Sequence, residues 1–322
     1  MKTILYKFFK NTYEFLSRTP LRKVPGMLLI SNLIFRFVWP NRDIIEVQGN
    51  KMVVNVNDPN PNLRKTFQAY AMDQVHEETT TKLFKHIIKE GDTVVDLGAN
   101  IGYFSIIAAK KSGPKGKVLS FEPEPNNFKY LKKNIEVNDF ENVTPIQGAI
   151  SDKNGEIDLF ICEYDSGHHT INQFQGIEAI ARGRKSKEKT IKIKTWKLDD
   201  YLNNQNVKSV DVMKIDIEGS EGLALKGMQK TLKLPGINIF IEYYPALLKS
   251  MGTDLKLHIE SLLNDYGFKV YAIGQEYDLL NAEKALILIE SFNQLGALLS
   301  NENDHINLFL TKKDIKDIVN II

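Results

Sequence analysis

The 322 residues carry 42 basic and 40 acidic side chains, a formal net charge of +2, so the overall field gives no reason to expect a nucleic-acid partner. Cys162 is the one cysteine, which excludes an intramolecular disulfide or a cysteine metal cluster and points to a reducing, cytoplasmic setting. The length suits one large α/β domain with a modest extension.

Residues 1–42 read as a helical extension. Met27–Trp39 is apolar but short and interrupted by Arg36, whereas a spanning helix needs about 20 apolar residues. Lys2, Lys7, Lys10, Arg18, Arg22 and Lys23 precede it, as in a secretory signal, but Pro40-Asn41-Arg42-Asp43 follows in place of small residues. The extension is expected to pack on the domain or serve a homo-oligomer. Its basic, aromatic make-up also suits a peripheral membrane contact at the cytoplasmic face. Residues 43–78 follow as a β-hairpin and lead-in. β-Formers at 44–47 and 51–56 flank Gly49-Asn50, a two-residue turn signal, and Asp58-Pro59-Asn60-Pro61-Asn62 is a breaker.

The main domain is expected over 79–322, opening with a helix at 79–89 that ends at Gly91. Strands are predicted near 92–97, 117–122, 143–148, 210–216, 237–243, 268–273 and 305–311, and helices near 102–111, 125–138, 220–233 and 254–266. Residues 279–300 look like a further helix, with 301–304 as a turn. Alternating strands and helices imply right-handed crossovers and a parallel sheet. Residues 150–197 are too long for a simple connection. With β-like pieces at 157–162 and 190–196, they read as an insertion covering the substrate side.

The most informative run is Val94–Phe104, a valine-rich strand ending in an acid, then a glycine turn, then a helix start. A dinucleotide site needs Gly-x-Gly-x-x-Gly to seat a pyrophosphate. Here Gly98 and Gly102 stand four apart, with Asp96 just before and Asn100 between. A carboxylate there repels phosphate and suits a cation. The second strand ends in Glu122, where an acid grips ribose hydroxyls in nucleotide-binding α/β folds. A ribose with a positive centre and no phosphate describes S-adenosylmethionine (SAM) better than NAD.

Gly91–Phe104, then Phe121-Glu122-Pro123-Glu124-Pro125-Asn126, then Lys214-Ile215-Asp216-Ile217-Glu218-Gly219-Ser220-Glu221 resemble the FkbM family of SAM-dependent methyltransferases. Leu198-Asp199-Asp200-Tyr201-Leu202 and Ile239-Phe240-Ile241-Glu242 also match its pattern, over roughly 43–311 in all. The resemblance implies a Rossmann-like class I methyltransferase fold: an α/β, seven-stranded, mostly parallel sheet with helices on both faces and a final antiparallel strand pair. It also implies O-methylation of hydroxyls on sugars or polyketide-like products. The SAM site would comprise Asp96, Gly98, Ala99, Asn100, Gly102, Tyr103 and Phe104 of the first turn, then Glu122 and Pro123. Ala149 and Ile150 would lie beside the adenine. Glu78 aligns loosely with a family glutamate.

An aliphatic hydroxyl is a weak acid, so proton removal calls for a base or a metal. Asp216 and Glu218 follow the apolar run Val210–Ile215, and Glu242 ends the next strand. Carboxyl edges of adjacent strands face one crevice, so these acids should converge, with Asp216 and Glu218 on one side if the strand persists. Glu221 would cap the next helix. A divalent metal is not favoured; if one binds, Asp216 and Glu242 would hold it. In the insertion, His169 (or its neighbour His168) is a candidate base. Lys214, in a buried strand, needs a carboxylate partner and is expected to orient Asp216 or Glu242. The lysines and arginines of 182–197 read as a solvated edge strand, or as a seat for an anionic acceptor. The expected acceptor is a small molecule or a glycan. Two alternatives stand beside this reading. An RNA base methyltransferase would carry an Asn/Asp-Pro-Pro-aromatic segment after the fourth strand, which is absent. The other is a noncatalytic interaction module.

Overall fold

Segments of valine, isoleucine and leucine too apolar to face water on either side become the centre of a sheet. In the chain they are β3 (Thr93–Leu97), β4 (Lys117–Phe121), β9 (Val212–Ile215) and β10 (Asn238–Tyr243), paired in parallel, with β5 (Val143–Ile146) the parallel edge strand beside β4. The computed structural model describes residues 2–17, 34–35, 37–40, 43–161, 171, 189–274, 286–301 and 304–314. It divides into two units, 1–75 and 76–322. No helix among the described residues is long and apolar enough to cross a membrane.

Three more strands, β11 (Lys269–Ile273), β12 (Leu286–Ile289) and β13 (Ile306–Thr311), complete the sheet of the larger unit, whose eight strands run in the order β12-β11-β13-β10-β9-β3-β4-β5. β13 runs antiparallel between β10 and β11. All seven expected strands are present. The eighth, β12 (Leu286–Ile289), lies within 279–300, expected to be helix; only Phe292–Ala297 there is helical. Its Leu-Ile-Leu-Ile run pairs antiparallel with β11, and this tertiary pairing overrides a helix-compatible composition.

Helices cover both faces. Val95, Leu97, Met213, Ile215, Ile239 and Ile241 share one core cluster with Leu198, Leu202, Ala224, Ile259 and Leu262 from the helices and turns that precede β9 or follow β9 and β10. On the other face Phe84, from the helix Glu78–Ile87, packs on Phe240 and Phe104 at ring distances of 5.3 and 5.2 Å. Of the two long helices expected, one is cut short, Glu221–Lys226 replacing 220–233. The other is present over nearly its expected length, Leu255–Glu260 continuing in a wider π-helical turn at Ser261–Asp265. Helices at Leu198–Asn204 and Pro245–Ser250 were not anticipated.

Within the expected insertion, β6 (Ala149–Ile150), β7 (Gly155–Ile161) and β8 (Lys189–Trp196) form a separate sheet with β8 in the middle. Because β6 reaches only Thr195 and Trp196, the part of β8 that carries Lys192 and Lys194 is paired with β7 alone and is an edge as expected. Both lysines are exposed, and Lys192 pairs with Asp158 of β7 at 3.0 Å. Cys162, His168, His169 and the basic residues 182–187 lie outside the described residues.

In the smaller unit the hairpin of β1 (Ile44–Val47) and β2 (Asn50–Val53) turns at Gln48-Gly49, whose φ angles are 52° and 76°. The turn sits one residue earlier than Gly49-Asn50, because Val47 pairs with Asn50 and two positive φ values make the twist that hairpins favour. The breaker at 58–62 starts a helix rather than only interrupting one. Pro61–Ala71 is helical, and the Asn60 side chain accepts from the Leu63 amide at 3.5 Å.

Candidate active site

Strand register builds the site. Asp96 of β3 lies opposite Lys214 of β9, and Lys214 lies opposite Phe240 of β10. Side chains repeat every two residues, so one step further along the same face come Gly98, Asp216 and Glu242, with Glu242 opposite Asn307 of β13. This row stands at the carboxyl edge, where β3 has β4 on one side and β9 on the other. Such a change of direction in strand order is where open α/β sheets hold ligands.

Glu218 arrives differently from expectation. β9 stops at Ile215, and alternation does not carry past Asp216, whose amide makes the last bond to β3. Glu218 has φ 55° and Gly219 φ 92°, a turn that swings Glu218 back towards Asp216. Asp216, Glu218 and Glu242 each place a carboxylate oxygen within 4.8 Å of the others, a set of hard donors larger than the Asp216–Glu242 pair anticipated. Glu221 does not cap its helix. Its buried Oε1 accepts from the amides of Ile217 (3.1 Å) and Gly219 (3.3 Å), closing this turn.

Lys214 is 1% exposed and its Nζ is 3.1 Å from Asp216 Oδ2 and 3.5 Å from Glu77 Oε1, 5.0 Å over the Phe104 ring. Burial works against its charge, but Asp216, Glu77 and Glu242 outweigh burial and hold its pKa above the ordinary value. It is a fixed cation that positions Asp216, not a base. Glu77 is the residue sequence reasoning missed. It lies one place before the helix start at φ 41°, and its Oε2 accepts from Asn307 Nδ2 at 2.9 Å. Glu78, which aligns only loosely with a family glutamate, is exposed and pairs with Lys82 at 2.7 Å. Only the helix boundary separates the two, and Asn307, which confirms Glu77, is 230 residues away. His305 Nε2, 3.8 Å from Glu242 Oε1, was also unforeseen. Glu77, Asn100 and Glu218 are three of the seven described non-glycine residues with positive φ, and backbone strain of this kind gathers at functional sites.

The expected cofactor loop is assembled around Glu122. Its carboxylate accepts from the amides of Asn100 (2.7 Å) and Glu124 (2.8 Å), while Glu124 caps the helix Pro125–Glu136. The Ala99 amide is held by the Phe121 carbonyl at 2.9 Å, and Pro123 is half-buried next to Glu122. A carboxylate has lone pairs beyond two amide bonds, which fits ribose hydroxyls, and the surrounding acids fit a cationic sulfur. Asp96 is buried and accepts from Ser105 Oγ at 2.6 Å, so it braces the turn. Tyr103 and Phe104 are buried against His76, so what they offer a ligand is main chain. Gly102 begins their helix. Ala149 and Ile150 pair with Thr195 and Trp196, and Ile150 is in the core.

So many acids in one place keep their protons. Burial raises Glu242 to about 9, with Asp216 adding to it and Lys214 opposing it. Burial likewise lifts Glu122 to about 8 against its amide donors, Glu221 to about 7 and Asp96 to about 6. The folded protein thus binds more protons than the unfolded chain across these values, and stability is lost as pH rises through them. His258, lowered to about 4 by burial and then Lys226, contributes the opposite slope, but only below its unfolded pKa of about 6.5. From about pH 6.5 to 9 the ligand-free protein should therefore lose stability steadily, by on the order of 1 kcal/mol per pH unit per retained proton. Calorimetric melting across that range checks it; a flat or rising melting temperature contradicts the buried-acid account.

Residues 96–270 match the family described as Methyltransferase FkbM domain. The chain is 27% identical over 197 residues to methyltransferase sdnD of Sordaria araneosa, covering 55% of this chain and 73% of sdnD. It is 28% identical over 157 residues to hexuronic acid methyltransferase AglP of Haloferax volcanii (49% of this chain, 58% of AglP). With 2-O-methyltransferase NoeI of Sinorhizobium fredii it shares 24% over 157 residues (45% and 60%). The matches thus span somewhat over half of AglP and NoeI. Motif, strand order and family match agree: the chain belongs to the FkbM methyltransferase family and is a SAM-dependent methyltransferase.

Proposed function

We propose that the acceptor is a hydroxyl group, on a sugar of a glycan or glycolipid. The observation that carries this is the pairing of Asp216 with Glu242 at the carboxyl edge, one carboxylate held by Lys214 and the other pushed to a pKa of about 9. SAM, when bound, supplies a methyl group on a sulfonium leaving group, which leaves the chain to place the hydroxyl and take its proton. A carboxylate of raised pKa is a stronger base than an ordinary one. Glu242 takes the proton, and Asp216, fixed by Lys214, orients the hydroxyl. AglP and NoeI, a hexuronic acid methyltransferase and a 2-O-methyltransferase by name, support a sugar hydroxyl.

Radiolabelled methyl transfer to uronic-acid and hexose acceptors tests this. Glu242→Gln and Asp216→Asn should each lower kcat by about 10²–10⁴-fold with SAM affinity kept within about threefold. The parent rate should climb as pH rises towards Glu242's pKa. Label that enters RNA alone, or an undiminished Glu242→Gln rate, would sink the proposal. Glu122→Gln separates cofactor from acceptor. It should weaken SAM binding by calorimetry about 10-fold or more, whatever the acceptor is.

A further inference from the structure

We propose that the helix Lys2–Ser17 and the helical residues 34–35 and 37–38 form a docking surface for an anionic lipid membrane. The helix already has a packed face. Tyr6 sits 5.2 Å from Trp39 and 6.2 Å from Phe35 by ring centroid, and Phe9 is 6.3 Å from Phe35. The Tyr6 hydroxyl donates to the Ala71 carbonyl and Lys10 pairs with Asp73. These contacts satisfy folding with positions 6, 9 and 10.

At about 100° per residue, positions 4 and 8 turn to the opposite side, where a soluble helix ordinarily carries polar groups, and position 5 lies at its border. Here Ile4 is 74% exposed, Phe8 73% and Leu5 41%. The neighbouring segment repeats the pattern. Phe35, Val38 and Trp39 are buried, while Phe37 is 76% and Ile34 43% exposed. Two adjacent elements thus each bury one aromatic face and present a second apolar face that folding does not use.

Charge selects the occupant. The helix Lys2–Ser17 holds Lys2, Lys7 and Lys10 against Glu14 alone, and of the three lysines Lys10 is engaged by Asp73. A second copy of the same face would bring like charge to like charge. An anionic headgroup layer with an acyl boundary beneath matches both the lysines and the phenylalanines.

Sedimentation of the full chain with vesicles tests this, using phosphatidylcholine alone or with about one-third phosphatidylglycerol. The protein should sediment with the anionic vesicles only and be released by about 0.5 M salt. Ile4→Ser/Phe8→Ser/Phe37→Ser should lower partitioning by about ten-fold or more, with SAM affinity unchanged. Lys2→Gln/Lys7→Gln leaves every described packed side chain in place and should do likewise, so the proposal stays testable if the first variant misfolds. Failure to bind anionic vesicles, or equal binding to neutral ones, overturns it. So does a parent chain that self-associates without lipid while the serine variant is monomeric, because the face would then be a contact between copies.

Discussion

Gly98→Ala should cost the protein its cofactor site and much of its stability. A Cβ on Gly98 would lie 1.8 Å from the Asp216 carbonyl oxygen and 3.2 Å from Ile217 Cγ2, and Gly98 has φ 84°. Backbone cannot yield as a flexible side chain can. β3 is bonded to β4 and β9, and the Asp216 amide itself donates to the Leu97 carbonyl at 3.0 Å. Relief would require parting β3 from β9, the strand whose end holds Asp216. A loss on the order of 3–5 kcal/mol is expected, or roughly 10 °C in melting temperature, with SAM binding abolished. Gly91→Ala is the control. Its φ is 87°, almost the same, but nothing lies within 4 Å of the added carbon, so it should cost only about 1 kcal/mol of backbone strain. If the two variants melt together, overlap with Asp216 is not what reserves position 98 for glycine.

Lys214→Met should be comparably severe for an electrostatic reason. The methionine fills similar volume but leaves Asp216, Glu77 and Glu242 facing one another without the cation between them. Removing one partner of a buried ion pair costs about 3–5 kcal/mol. The loss should deepen as pH rises, because the orphaned acids can escape it only by keeping protons. Adding Asp216→Asn to Lys214→Met should recover part of the stability and none of the methyl transfer. Lys214→Arg should not restore the parent, since a planar guanidinium does not fit a point-charge site over the Phe104 ring. Thermal melting of the four proteins at two pH values decides. A Lys214→Met variant that melts within about 1 °C of the parent would show that the lysine anchors nothing.

Both results turn on contacts between segments far apart in the chain, and that is where reading the sequence stopped. Strands β3, β4, β9 and β10 could be placed from composition because a strand buried on both faces has few other sequences open to it. The glycine spacing and Glu122 could be read because a loop's backbone requirements are local. The reason for Gly98 was not legible. What crowds position 98 is the chain's own Asp216 carbonyl, brought there by β9 from far along the chain. Glu218 was matched to Asp216 by strand alternation, whereas a turn with positive φ brings the two together. Glu77 was passed over for Glu78 because one residue of helix boundary decides which acid turns inward, and periodicity does not resolve a boundary that finely.

By itself the sequence determined the class of fold, the glycine turn after β3 and the supply of acids along the strand ends. These follow from short-range rules: burial sets composition, and backbone geometry sets glycine. The tertiary structure alone decided which acids meet, that Lys214 is shared between Asp216 and Glu77, and that β13 brings Asn307 and His305 alongside. Coulomb energy and desolvation depend on distances between groups up to 230 residues apart, and no local pattern encodes those distances.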